Sequence, residues 1–248
     1  MTDDTDIGTT GRQFPATRYS LIESTRSHDA QARQHALGVL ICAYWKPVYK
    51  YLRLHWKKDN EAAQDLTQAF FARLLEKQLL DRFDPARARL RTYLRVCVDS
   101  FVINEDQAAR RLKRGGDVTL LSLDFETAEG ELLQGDVAAS GDPDELFSRE
   151  FARNLFALAV ERLRNECADK GKQQQFQIFE LYDIEAGSQQ LTYDEVASRF
   201  RIKPTDVTNQ LAYARREFRR IVLDELRALS ASEDEFRHEV QTVLGIKL

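Results

Sequence analysis

The chain has 248 residues, 43% hydrophobic and 31% charged, with a formal net charge of −4. That length suits one large domain or two small ones, and no apolar run approaches the roughly 18–20 residues that cross a bilayer, which excludes a membrane span. Cys42, Cys97 and Cys167 are isolated and odd in number, which argues against a disulfide framework and a zinc site, and the acidic start "MTDDTDIGTTGRQ" lacks the apolar core of a signal peptide, so a reducing cytoplasm is expected.

The small net charge hides a strong polarity along the chain. From Arg12 to Gly115 there are 20 Lys and Arg against 11 Asp and Glu, a net of +9. From Gly116 to Glu150 the count is 1 against 10, a net of −9, and from Phe151 to Leu229 it is 13 against 12. A basic block, an acidic connector and a balanced block follow one another. Such asymmetry speaks about partners rather than fold. Nucleic acid is one partner it suits, and a solvated helical surface accounts for it equally well.

In chain order, residues 1–12 read as a disordered terminus. "DAQARQHALGVLICAYWKPVYKYLRLHW" places Ala36, Leu37, Leu40, Ile41, Tyr44 and Val48 at helical spacings. Pro47 is expected to kink this helix or to divide it in two. Asp59 or Asn60 caps the next helix, which runs to about Leu80. "DRFDPARAR" is a polar loop around Pro85. A further helix carries Leu94, Val98, Phe101 and Val102 on its inner face and stops at Gly115-Gly116.

Residues 116–142, rich in glycine, small residues and carboxylates, read as an acidic flexible linker. Helices resume at Asp142-Pro143, a cap followed by a first-turn proline. The tail 230–248 has Phe236, Val240 and Val243 on one side of a short amphipathic helix. The expected fold is all-α, with a helical domain at 13–115 and a second at 143–229.

The second domain holds the most specific pattern, "LTYDEVASRFRIKPTDVTNQLAYARREFRR". Thr192 and Glu195 form a capping box, and Val196, Ala197 and Phe200 face inward. After a short turn Val207, Leu211, Ala214 and Phe218 recur at spacings of four, three and four. A short helix, a tight turn and a longer helix form a geometry that places the second helix in the DNA major groove. Thr205, Thr208, Asn209 and Gln210 lie outward in its first turns, where side chains reach base edges. Arg215, Arg216 and Arg219, with Arg220, follow where phosphates lie. The plainer alternative is a helical hairpin with a basic solvated face. Arg201 stands where glycine makes an easier turn, and Lys203 is a poor cap.

The order of these blocks resembles a bacterial RNA polymerase sigma factor of the two-domain extracytoplasmic-function class, over nearly the whole chain. "FPATRYSLIES" and "CAYWKPVYKYLR" look like the opening of the promoter-melting domain, and "DLTQAFFARLLE" resembles the helix that docks on the clamp helices of the polymerase β′ subunit. "FDPARARLRTYLRVCVDSFVINEDQAARR" resembles the regions that open and hold the minus-ten element. The resemblance implies core RNA polymerase, through its β′ clamp helices and β subunit, and promoter DNA as partners, with no membrane partner. It also implies a helix-turn-helix that reads the minus-thirty-five element, and an acidic linker that threads the polymerase's basic channel.

On that resemblance Gln64, Asp65, Gln68 and Phe71 face the polymerase. Arg87, Arg89, Arg91, Arg95, Arg110 and Arg111 surround Tyr93, a stacking group for melted DNA. Family members commonly carry three carboxylates in "DAED" where this chain has Ala62, Ala63, Gln64 and Asp65, so two charges are missing. At about 1.5–3 kcal/mol per charge-assisted contact, that weakens docking well over tenfold. One group of the class lacks these acids and is switched on by a Ser/Thr kinase. A phosphate on Thr67 adds about −1.5 to −2 charges there. On a wheel of about 100° per residue, Thr67 lies within a broad apolar arc, so it is either packed in the core or at the rim of the docking surface.

No cofactor, metal or catalytic residue is expected. The histidines are scattered, and neither a glycine-rich phosphate loop nor metal-ligand spacing occurs. A stand-alone helix-turn-helix regulator and a helical protein-binding adaptor are the rival readings.

Overall fold

The computed structural model describes residues 20–76, 79–109, 121–134, 142–185 and 191–247. All regular structure among them is helical. The α-helices are α1 Ser20–Thr25, α2 Ala30–Leu54, α3 Asn60–Glu76, α4 Leu90–Ala109, α5 Phe125–Gln134, α6 Pro143–Asp169, α7 Gln173–Phe179, α8 Tyr193–Phe200, α9 Pro204–Ala228 and α10 Glu233–Leu244. A 3-10 turn at Leu79–Arg82 and a π-helical turn at Glu180–Glu185 complete the set. No described helix is long and apolar enough to cross a membrane.

The chain divides into two compact units, Met1–Asn154 with Leu226–Leu248, and Leu155–Glu225. The first is built around α2. From Ala36 to Leu52 nearly every side chain of this helix is buried, as befits a helix surrounded by others. Tyr44 stacks on Phe151 at 5.0 Å, and Trp45 and Tyr49 close on Phe125 at 5.5 and 5.2 Å.

Pro47 does not divide α2, which runs unbroken for 25 residues. A proline there deprives the Ala43 carbonyl of its N–H partner four residues on. Asn154 supplies the replacement: its side-chain amide donates to the Ala43 carbonyl at 2.8 Å and to that of Cys42 at 3.1 Å. The buried carbonyl is satisfied and the helix continues.

Asp59 is the cap of α3, accepting from the Ala62 N–H at 2.8 Å. The inner face of α3 is Ala63, Thr67, Phe70, Phe71 and Leu74, and that of α4 is Leu90, Leu94, Val98, Phe101 and Val102.

The segment expected as a flexible linker, 116–142, is described only from 121 to 134 and at 142, and there it holds α5. Asp124 caps this helix through the Thr127 N–H at 3.0 Å, and Phe125 and Ala128 are buried. Its acidity is spent on α2. Glu129 accepts from Tyr49 and Arg53, and Glu131 from Lys46 and Lys50 at 2.7 and 2.6 Å. The expected disorder of 1–12 and the glycine stop at 115–116 lie outside the described residues.

The tail helix α10 also belongs to the first unit. Ser232 caps it, and Phe236 and Val240 are buried.

The second unit packs α7, α8 and parts of α6 and α9 around Leu163, Phe179, Val196, Val207 and Leu211. Phe218 is sandwiched by Phe156 and Phe179 at 6.1 and 5.4 Å.

Candidate nucleic-acid interface

Three surfaces carry the residues singled out in the sequence. On α3, Asp65 is exposed and Gln64 and Gln68 are half-buried. Gln64 donates to Asn60 Oδ1 at 2.7 Å, and Asn60 also receives the Tyr49 hydroxyl at 2.8 Å. Thr67 and Phe71 are wholly buried. The Thr67 hydroxyl donates to the Ala63 carbonyl at 2.7 Å. This corrects the expectation that Phe71 faces the polymerase and decides between the two placements left open for Thr67. Phe71 belongs to the core, where it meets Phe70 edge-on at 5.2 Å, and the Thr67 oxygen is inaccessible to a kinase in the folded chain. The apolar arc on the helical wheel was the stronger signal.

The second surface is the loop before α4 and the first turns of that helix. Asp84 organises the loop, accepting from the Ala86 N–H through its side chain and from the Arg87 N–H through its carbonyl, both at 3.0 Å. Arg26 clamps the loop from the other side by donating to the carbonyls of Leu80 and Phe83 at 2.7 and 2.6 Å. Arg87 and Arg89 project into solvent from this frame.

The remaining residues of the expected basic cluster have other work. Arg91 is 6% exposed, pairs with Glu239 of α10 at 2.9 Å and lies over the Phe151 ring. Arg95 pairs with Asp99 at 2.6 Å and Asp144 at 2.5 Å. Tyr93 is no free stacking platform. Its hydroxyl donates to the Leu79 carbonyl at 2.6 Å, its ring leans on Phe83 at 5.2 Å, and burial pushes its pKa up to about 12. Arg110 and Arg111 lie outside the described residues.

The N-terminus of α4 is capped from afar. Glu235 of α10 accepts the Leu90 N–H at 2.7 Å through one oxygen and the Ala231 N–H at 2.8 Å through the other. Glu239 follows one turn later against Arg91. Burial raises the Glu239 pKa against the opposing pull of Arg91, and burial lowers that of His238 with help from Arg89 and Arg91. Sequence reasoning missed both glutamates. The spacing Ser232 to Glu235 announces a real helix, but nothing local says which helix it meets.

The third surface is α8, the turn 201–203 and α9. The capping box is present: Glu195 accepts from the Thr192 N–H at 2.7 Å, and the Glu195 N–H donates to the Thr192 hydroxyl at 3.3 Å. Arg201 terminates α8 in the left-handed conformation, φ 55° and ψ 45°, and its N–H donates to Ala197 and Ser198. Asp206 repairs the poor cap at Lys203 by accepting that residue's N–H at 3.3 Å.

Thr205, Thr208 and Asn209 are exposed on the first turns of α9. Gln210 is half-buried and donates to Gln174 at 3.2 Å. Arg215 grips Asp183 of the π-helical turn with two bonds, at 2.7 and 2.9 Å, which raises its pKa. Arg216 lies over Tyr213 and near Glu217, while Arg219 is exposed. Arg199, Arg201 and Lys203 are exposed around the turn and add to this basic rim. Arg201 and Lys203, read only for turn and cap preference, gave no hint of a shared rim, and Arg199 was not singled out.

Residues 40–114 match the family model of sigma-70 region 2. The match takes in α2 from Leu40, α3, the clamped loop and α4. No curated protein and no solved structure matches the chain.

Proposed function

We propose that the protein is a transcription initiation factor of the sigma type, which binds core RNA polymerase through α3 and brings it to promoters. The observation that carries this reading is the region 2 match over 40–114. It coincides with a helical bundle whose α3 carries the exposed Asp65 and whose α4 follows a basic loop. Arg87 and Arg89 are the contacts to the minus-ten element. The α8–turn–α9 segment acts as a helix-turn-helix on the minus-thirty-five element, with Thr205, Thr208 and Asn209 toward bases and Arg216 and Arg219 toward phosphates.

The docking face is weakly charged, since Ala62 and Gln64 stand beside the single carboxylate of Asp65. Phosphate on Thr67 does not restore the charge in the folded chain, because the hydroxyl is buried. Polymerase binding therefore rests on Asp65, the flanking glutamines and the remaining surface of α3.

The test is affinity for core RNA polymerase. Asp65→Ala is expected to weaken binding by roughly ten- to a hundredfold, from the loss of one charge-assisted contact of roughly 1.5–3 kcal/mol. Ala62→Asp/Gln64→Glu is expected to strengthen it by more than tenfold. Thr67→Ala lowers the unfolding midpoint and leaves the affinity unchanged. If neither wild type nor the charge-restored variant binds polymerase, the sigma reading falls. Tight, salt-sensitive binding of duplex DNA by the free protein then points to a stand-alone helix-turn-helix regulator, and no binding of either to an adaptor.

A further inference from the structure

We propose that α10 is an intramolecular competitor for nucleic acid, its Glu235 and Glu239 occupying an anion site formed by the Leu90 N–H and Arg91 at the start of α4. The inference deepens the reading above, since it concerns the loop and helix assigned there to promoter DNA.

A helix N-terminus offers unpaired N–H donors and the positive end of the helix dipole, which suits an oxyanion. At α4 the occupant is a carboxylate, Glu235, 145 residues away in sequence at 2.7 Å. One residue on, Arg91 faces a second carboxylate, Glu239, at 2.9 Å. Two negative groups one helical turn apart thus cover the start of α4, the helix that follows the basic loop assigned above to promoter DNA. Arg89, adjacent and exposed, extends the positive surface beyond the covered part.

The quality of the contact favours exchange over permanence. Arg91 Nη1 and both carboxylate oxygens of Glu239 are buried without a well-aligned hydrogen bond, although the ions lie close. A buried ion pair recovers its desolvation only when its geometry is good and its remaining hydrogen bonds are made. Beyond these groups α10 is held by Arg227, which lies over the Phe236 ring at 3.9 Å and pairs with Glu233 at 3.1 Å, and by two apolar side chains. Phe236 and Val240 are the buried apolar side chains of α10, while Asp234, Arg237, Gln241 and Thr242 face solvent. Unlike Glu235, which caps the Leu90 and Ala231 N–H groups, Glu239 makes no well-aligned hydrogen bond in return for its burial. A phosphodiester backbone, with Arg91 and Arg89 as its cations, is the occupant that replaces the two carboxylates.

The experiment uses the full chain and a fluorescein-labelled single-stranded DNA oligonucleotide of mixed sequence, read by anisotropy at low salt. Glu235→Gln/Glu239→Gln keeps both side-chain shapes and is expected to bind at least tenfold tighter than wild type. Asp81→Asn/Asp234→Asn removes the same charge from exposed positions and is expected to stay within about twofold of wild type. Hydrogen exchange on wild type reads the same event without mutation, with the α10 amides losing protection when the oligonucleotide is saturating.

The inference is overturned by wild-type DNA affinity in a Gln/Gln variant of native helical content, by an equal gain in the exposed-charge control, or by α10 protection that DNA leaves unchanged or raises. Core-polymerase binding by the same proteins separates the two readings. Gated DNA binding without polymerase binding sinks the sigma assignment alone, and polymerase binding with ungated DNA sinks the competitor alone.

Discussion

At the scale of single residues, the decisive interactions are repairs. Asn154 hands its amide to the Ala43 carbonyl, which Pro47 leaves without a partner, and reaches that of Cys42 as well. Removing it strands a buried acceptor, so Asn154→Ala is expected to cost about 1–3 kcal/mol. If the bond to Ala43 is the reason, Pro47→Ala restores the helical N–H and makes the Asn154 substitution cheaper. A double-mutant cycle by urea denaturation measures that coupling, and additive losses would refute the account. Arg201 shows another kind of repair. Its left-handed backbone is strained for a residue with a side chain, yet its N–H and that of Ile202, which reaches Ala197 at 3.0 Å, close the end of α8.

At the scale of elements, α5 changes the meaning of the acidic segment. Its carboxylates engage Lys46, Lys50 and Arg53 of α2, and Phe125 fits between Trp45 and Tyr49. Phe125→Ala is expected to cost about 3–5 kcal/mol, with a red shift of the Trp45 emission as its cover is lost. An unchanged midpoint and spectrum would mean that α5 is only loosely attached.

The sequence made the periodic elements legible, because their evidence is local. The spacing in α2, the Asp59 cap, the Thr192–Glu195 box and the buried Phe101 all follow from neighbours within a turn or two. The docking of α5 and the fate of Arg91 and Arg95 were illegible for the complementary reason. Their partners lie on α2, α6 and α10, and a count of arginines cannot tell a free cation from one paired across the fold. Thr67 falls between these cases, since its arc was visible but its depth was not.

At the scale of the whole molecule, pH acts through buried carboxyls. In the unit Leu155–Glu225, burial pushes Glu225 up to about 7, outweighing its bond to Arg162. A carboxyl whose folded value exceeds its ordinary 4.5 binds more protons folded than unfolded between those values, so stability falls as pH rises from about 4.5 to 7. Burial also raises Glu166, but Lys170, Arg220 and Arg162 overcome it and hold its pKa below 4.5. Its contribution is present above 4.5 and lost on acidification. This unit is therefore expected to be most stable on the acid side of neutrality. Glu225→Gln is expected to remove the neutral limb, a gain of up to about 3 kcal/mol at pH 7.5. Both tryptophans lie in the other unit, so hydrogen exchange of the α9 amides is the appropriate readout. Protection that rises with pH in wild type would contradict the assignment.

The long reach from Glu235 back to Leu90 also has a consequence for biosynthesis. The start of α4 is translated 145 residues before the carboxylate that caps it. At about 5–20 residues per second, the ribosome takes about 7 to 29 seconds to cover that distance. Until Glu239 follows, Arg91 is without its counter-ion, close to a ribosome and messenger made largely of phosphate. Arg91 is thus an uncovered cation while RNA surrounds the chain, and the synthesis of α10 is what withdraws it.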